Sequence, residues 1–432
     1  MSCCAEHQVL SSVPTYILES WSTSPYLTTL ALGPPLLLLL LFYPALLYLS
    51  PRETELPKDA YYYILATDPS TRLPLPKLVE ERKEKDDTVQ LSVVIPAYNE
   101  QSRLGKMLKE TVDYLEILKK EKSSLTLVKR STQNGHSKSH DFSREALDSP
   151  LESYEILIID DGSRDDTIKE AMAFATDNRD VQIRIVKMGR NCGKGAAVRH
   201  GVLHTRGQFI IFCDADGATK FSDLSNLAKE MSRIITPTGH GIVCGSRAHL
   251  VGSEAVVKRS FVRNLLMHSF HLLLSLLMRP PNPFAHLPTF ISTPLGSRQT
   301  LPSQPPIKDT QCGFKLFSRE SAKVIFPLSH IDRWIFDVEL LLLAELASTQ
   351  TLDKNSTSMK WTNDKKDVLR FLPLPISEVA VDWREVEGSK IDLLRDSIGM
   401  ALDLIVIRLN YALGRWKSPG VVATSNSCTA RQ

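Results

Sequence analysis

The sequence predicts an α/β chain built on a mostly parallel sheet with helices on both faces. Compact apolar, β-favouring runs recur at Leu91–Pro96, Tyr154–Ile159, Val181–Lys187 and Gln208–Cys213. Segments with helical spacing or a helix start separate them, the alternation expected of βαβ units. Polar motifs follow the ends of these runs, where open α/β sheets bind ligands.

The amino end carries a different signal. Ser20 to Pro51 contains no charged residue, and Leu36–Leu41 is an unbroken leucine block. Residues 27–49 are long enough to cross a hydrocarbon core of roughly 30 Å as a helix. The block starts late and no basic segment precedes it, so a retained anchor is expected rather than a cleaved leader. Lys and Arg are missing before it, whereas Arg52, Lys58, Arg72 and Lys77 follow. The positive-inside rule then places residues 1–26 in the lumen and the long carboxyl-terminal part in the cytosol. Residues 50–88, rich in proline and charge, read as a tether.

The first strand stops at Pro96 and leads into Ala97-Tyr98-Asn99-Glu100. Leu104, Leu108, Val112, Leu115 and Leu118 then recur at helical spacing over about 103–120. Residues 121–150 lack periodicity and read as a surface insertion, as do 280–307. The second strand ends in Asp160-Asp161-Gly162-Ser163, with a helix start at Asp165-Asp166-Thr167. After the third strand, Gly193-Lys194-Gly195 opens a helix through Ala196, Val198 and Val202. That segment fails the P-loop pattern in spacing and final residue, and it is only a fragment of the dinucleotide fingerprint. Its glycines either let the helix start close to the strand or also bring backbone N–H groups near a phosphate.

The fourth strand ends in Asp214-Ala215-Asp216-Gly217. An acidic turn accounts for that composition. Alternatively, two carboxylates one residue apart point the same way and reach one hard cation on a diphosphate. Ser389 is a plausible cap for a helix starting near Lys390, an end that suits an anion together with Arg384. Asp337 and Glu339 read either as a base or orienting group or as polar positions on a core helix. Residues 261–278 and 391–413 are apolar helix candidates, either core helices or interfacial ones. The second carries Arg395, Asp396, Asp403 and Arg408 and fits an amphipathic helix in the headgroup layer over 391–417 better than a span. Residues 418–432 read as a tail.

The net charge of +3 makes no polybasic case, and no nucleic-acid partner is expected. Seven scattered cysteines without a C-x-x-C pair argue against a zinc or disulfide framework.

LSVVIPAYNE, EILIIDDGSRDDT, the N-x-G-K-G segment, FIIFCDADGATKFSDL, Gly245-Ser246-Arg247, QCGFKLFSR, RWIFDVELL and VDWREVEGSK occur in one order. Over roughly 91–390 the series resembles the family-two glycosyltransferases of GT-A fold, and within them the enzymes that charge dolichyl phosphate. The resemblance implies a GT-A domain over 89–390 that passes glucose from UDP-glucose to dolichyl phosphate with inversion, at the endoplasmic-reticulum membrane. It implies that Pro96, Tyr98, Glu100, Asp161, Lys194 and Ala215 bind the nucleotide sugar, Asp161 at the uracil. Asp214 and Asp216 would hold Mg²⁺ or Mn²⁺ on the diphosphate, and Arg247, Arg384 and Lys390 would surround the phosphates. No third metal ligand follows the Asp pair. A mannosyltransferase using GDP-mannose, or a catalytically silent nucleotide-sugar-binding protein, are the rival expectations.

Overall fold

The computed structural model describes residues 43–51, 56–65, 68–79, 89–120, 151–250, 307–352, 369–386, 393–419 and 421–422. The chain divides into two units, Met1–Ser50 and Pro51–Gln432. In the first, residues 43–49 are helical. Residues 27–42 of the expected anchor lie outside the described residues, as do 121–150, 261–278, 280–306 and Lys390. Among the described residues, no helix is long and apolar enough to cross a membrane.

The second unit holds a nine-stranded sheet among the described residues. Its strands are β1 (Tyr62–Leu65), β2 (Asp68–Pro74), β3 (Val89–Ala97), β4 (Tyr154–Asp160), β5 (Gln182–Lys187), β6 (Gly207–Cys213), β7 (Ile242–Ser246), β8 (Phe314–Ser318) and β11 (Ile376–Ala380). The order is β11-β7-β8-β6-β3-β4-β5-β1-β2. Strands β3 to β6 pair in parallel, and β11 runs parallel to β7. β8 lies antiparallel between β6 and β7, which keeps all six of these strands pointing one way. The four strands read from sequence fall within a residue of their expected bounds, except that β3 begins two residues early at Val89. β3 sits between β6 and β4, so strand order reverses there and opens a crevice at the carboxyl ends. A separate small sheet joins β9 (Ser348–Leu352), β10 (Leu369–Pro373) and β12 (Val421–Val422) in the order β10-β9-β12.

The segment expected to be a tether is built into this sheet. Tyr62–Leu65 and Asp68–Pro74 form an antiparallel hairpin, and Tyr63 and Ile64 pair with Val186 and Ile185 of β5. Proline is tolerated there because an edge strand has N–H groups with no ladder partner to lose.

Among the described residues, the α-helices of the second unit are α1 (Leu104–Lys120), α2 (Thr167–Asp177), α3 (Lys194–Leu203), α4 (Leu224–Ile234), α5 (Arg319–Ile325), α6 (Phe336–Leu346) and α7 (Leu393–Ala412). The expected stripe on α1 is buried, Leu104, Leu108, Val112, Leu115 and Leu118 all packing into one core with Ile156, Ile158, Phe209 and Ile211. Burial of such side chains stabilises by roughly 1.5–3 kcal/mol each. α6 is buried almost all round, which explains how Asp337 and Glu339 come to lie in the interior.

Candidate functional site

The crevice is assembled from turns at the carboxyl ends of β3, β4, β6, β7 and β11. On the β3–β4 side it is stitched by short polar bonds. Asn99 adopts φ 52°, its N–H donates to Ser163 Oγ at 2.9 Å and its Oδ1 accepts from Arg164 N at 2.8 Å. Glu100 is buried, its N–H donates to Thr167 Oγ1 at 2.7 Å, and its carboxylate takes Arg103 through both Nε and Nη2 at 2.8 Å. Glu100 therefore braces the loop that presents Pro96 and Tyr98, both partly exposed.

Asp161 is buried and accepts backbone N–H groups from Cys192 at 2.6 Å and Gly193 at 2.9 Å. Its pKa is pushed up to about 6: burial outweighs those two hydrogen bonds, and the neighbouring charges of Asp160 and Asp332 add to it. The glycines at the start of α3 have a packing reason. Gly193 has φ 106°, and a Cβ there would meet Asp332 O at 2.4 Å, while one on Gly195 would meet Ile331 O at 2.5 Å.

Lys194, the first residue of α3, donates to Asp214 at 2.6 Å and lies 6.0 Å from the Trp334 ring centre. Burial would lower its pKa, but the charges of Asp214 and Asp337 raise it. Asp214 N–H donates to Gly313 O at 3.2 Å. A side chain at position 313 would strike the Asp214 carboxylate, since a Cβ there would lie 2.2 Å from Oδ2. Asp216 accepts Ala218 N–H at 2.9 Å, while Ala215 between the two acids is buried. The side chain of Asp214 remains 35% exposed, and Asp216 is partly exposed. A cavity of about 10 Å³ beside Asp214, lined by Met107, Glu110 and Thr111 of α1, has room for a single water and none for a sugar.

The segment after β11 closes over this turn. Arg384 N–H donates to Ala218 O at 2.8 Å, Lys220 N–H to Asp382 O at 3.0 Å, and Thr219 bridges Trp383. Arg247 follows β7, stacks 5.7 Å from the Trp383 ring centre, and grips Asp309 through Nε at 2.7 Å and Nη2 at 2.9 Å. Burial would lower its pKa, yet Asp309 raises it, and Asp214 contributes to the field it feels. Asp214, Asp216, Arg247 and the backbone of Arg384 thus lie at the carboxyl ends of the strands, where Arg247 spends its fork on Asp309 and the Arg384 side chain is exposed.

Behind Lys194 lies a fully buried pair. Lys315 donates to Asp337 at 2.6 Å and to Cys312 O at 2.6 Å. Burial raises the pKa of Asp337, against the opposing charges of Lys315 and Lys194. Glu339 is fully buried and accepts His330 N at 2.8 Å, Ile331 N at 2.7 Å and Tyr411 Oη at 2.9 Å. Asp337 and Glu339 are therefore polar positions of a core helix. Gly313, Asp309 and Lys315 were missed in the sequence, because each matters through a partner supplied by another element of the fold.

The donor chemistry at Asp214 and Asp216 suits Mg²⁺ or Mn²⁺, hard cations that take few carboxylates alongside diphosphate oxygens and water. Among the described residues no three His, Cys, Asp or Glu side chains converge on one point.

Residues 141–326 match the model of glycosyl transferase family 2. The chain is 40% identical over 342 residues to a dolichyl-phosphate beta-glucosyltransferase of Dictyostelium discoideum, covering 79% of this chain and 80% of that one. Enzymes of the same name match from Saccharomyces cerevisiae, at 37% identity over 79% and 80% of the two chains, and from Homo sapiens, at 35% over 76% and 78%. The crystal structure of M. tuberculosis glucosyl-3-phosphoglycerate synthase shares 16% identity and a TM-score of 0.36 over 76% of this chain and 81% of that one. Similarity at that TM-score adds nothing to the sequence relatives.

Proposed function

The chain belongs to the dolichyl-phosphate β-glucosyltransferases, within glycosyl transferase family 2, and we propose that it takes glucose from UDP-glucose at the crevice around Asp214. It transfers glucose to dolichyl phosphate, giving dolichyl β-D-glucosyl phosphate. The observation that carries the site assignment is Lys194 paired with Asp214, with the backbone of Arg384 bonded to Ala218 just past Asp216 and Arg247 stacked on the neighbouring Trp383.

The acceptor is a phosphate monoester with a second pKa near ~6, so it arrives mostly dianionic and needs no strong base. The obstacle is repulsion between an anionic acceptor and an anionic donor. Asp214 and Asp216 would hold a divalent cation, which supplies charge neutralisation for the departing diphosphate. Lys194 lies beside the leaving group. Arg384 and the unspent face of Arg247 attract the attacking phosphate. Asp161 and the braced Pro96–Glu100 turn receive the nucleoside. In-line attack on an α-linked donor gives the β product.

The setting belongs to the same proposal: a single amino-terminal anchor in the endoplasmic-reticulum membrane, the catalytic unit facing the cytosol, and α7 in the headgroup layer. Ile398, Leu402 and Ile405 support the last point, since all are exposed and lie along one face of α7 at helical spacing, with exposed Leu413 just past its end. Leu404, Ile407 and Asn410 are buried on the opposite side.

Labelled UDP-glucose and GDP-mannose offered separately to the purified protein with a polyprenyl phosphate test the donor. Glucosyl lipid from UDP-glucose is expected. Turnover of GDP-mannose alone, or of neither, would overturn the reading.

A further inference from the structure

Glu339 lies in the interior of the unit, yet nothing in the transfer reaction calls on it. Its oxygens collect the N–H groups of His330 and Ile331, the His330 ring at 3.3 Å, and the Tyr411 hydroxyl. Tyr411 belongs to α7, whereas His330 and Ile331 open the loop before α6. The same loop is covered by the residues after α7: His330 stacks on Trp416 with ring centres 4.2 Å apart and planes 2° from parallel. Tyr411 meets Trp416 edge-on at 5.4 Å.

The loop then runs directly onto the donor side of the crevice. Ile331 O and Asp332 O press against Gly195 and Gly193, and Asp332 O accepts Ala196 N–H at 3.0 Å. The Asp332 carboxylate takes Arg199 of α3 at 2.5 Å. Trp334 flanks Lys194, which reaches Asp214. A continuous series of bonded contacts therefore joins the carboxyl end of α7 to the first turn of α3 and to Lys194. Burial and the charge of Glu339 raise the Tyr411 pKa, so its hydroxyl stays protonated as a donor throughout the neutral range.

We propose that Tyr411 and Glu339 are positioning residues that make donor binding depend on how α7 is seated against a lipid surface. When α7 is seated, Tyr411 holds Glu339 and the 330–334 loop in place, and the loop fixes the start of α3 with Lys194 against Asp214. When α7 is unsupported, the loop and Lys194 lose that brace and the diphosphate end of the donor is bound less well. The inference rests on the reading of α7 as an interfacial helix and of the crevice as the UDP-glucose site. Coupling of this kind is a free energy shared between two sites, so each must respond to the other.

Steady-state kinetics on the full chain test it, with a short, soluble polyprenyl phosphate as acceptor, in micelles and in phosphatidylcholine vesicles. For the unaltered protein, KM for UDP-glucose should be lower in vesicles by about five-fold, the scale of one net hydrogen bond. Tyr411→Phe should hold that KM at the micelle value in both settings, with KM for the acceptor and the melting temperature little changed. Glu339→Gln, which keeps the side-chain shape but weakens the acceptor, should give an intermediate value. A residue that served folding alone would lower melting temperature and kcat together and leave the vesicle effect on KM intact. That result, or an unaltered protein whose donor KM ignores vesicles, overturns the proposal. If the unaltered protein forms no glucosyl lipid in either setting, the donor reading fails instead, and the two failures are thereby told apart.

Discussion

The two edges of the central sheet carry the same kind of chemistry and use it differently. At the amino ends of the strands, Glu155 of β4 is fully buried and accepts Arg184, Arg206 Nε at 2.8 Å, Arg206 N–H at 2.8 Å and Ser92 Oγ at 2.6 Å. Burial would raise its pKa, but the two arginines lower it. That network is enclosed by protein, with Arg184 Nε the one buried atom in it that has no hydrogen-bond partner among the described residues. At the carboxyl ends, among the described residues, Asp214 pairs with the Lys194 side chain and stays 35% exposed. A charge enclosed by protein stabilises one arrangement of the chain, whereas a charge left half-satisfied remains free to bind a ligand.

Substitutions should separate the edges. The largest effect is expected from Glu155→Leu, which leaves Arg184 buried without its partner. Stability should fall by about 3–5 kcal/mol, as for other broken buried pairs, read from urea unfolding, while the folded fraction keeps its donor KM. Asp161→Asn probes the opposite edge, because an amide cannot receive Cys192 and Gly193 as a carboxylate does. Donor KM should rise about ten-fold, the scale of one unsatisfied buried group, and melting temperature should fall with it. The unaltered protein should lose donor affinity as pH falls through about 6, where Asp161 takes a proton, and Asp161→Asn should lack that dependence.

A separate effect lies at the hairpin edge. His200 and His204 are buried, with ring centres 4.7 Å apart, and bond to Ala60 O and Pro76 O. Burial, with His204 adding, pushes the His200 pKa down to about 4. The folded pKa is depressed, so the unfolded chain takes up a proton first as pH drops below its ordinary value. Stability should therefore be unaffected above pH 6.5 and fall between 6.5 and about 4, by up to about 1.4 kcal/mol per pH unit. His200→Gln should flatten that slope in urea unfolding followed against pH.

How much of this was legible in the sequence also divides by region. The strands at 91–96, 154–159 and 208–213 announce themselves because both faces are buried, leaving unbroken apolar runs. Asp214, Asp216 and Asp161 stand at their ends and could be picked out by position. The hairpin at 62–74 was hidden because an edge strand tolerates Pro69 and Pro74 and shows no clean alternation. Gly313 carries no local sign of its task, which is to clear space for the Asp214 carboxylate. Arg247 with Asp309, and Tyr411 with Glu339, pair across 62 and 72 residues. One sequence holds no periodicity that records such pairings, because they exist only once the strands have been ordered.

In the proposed reaction Asp214 and Arg384 serve one transfer event from the ends of two separate strands. A double-mutant cycle on the rate of glucosyl-lipid formation, using Asp214→Asn, Arg384→Gln and the pair, measures that. Non-additivity of more than about 1 kcal/mol is expected for groups acting on the same phosphates. Effects that add to within about 0.5 kcal/mol would show the two acting independently, and would contradict a shared site.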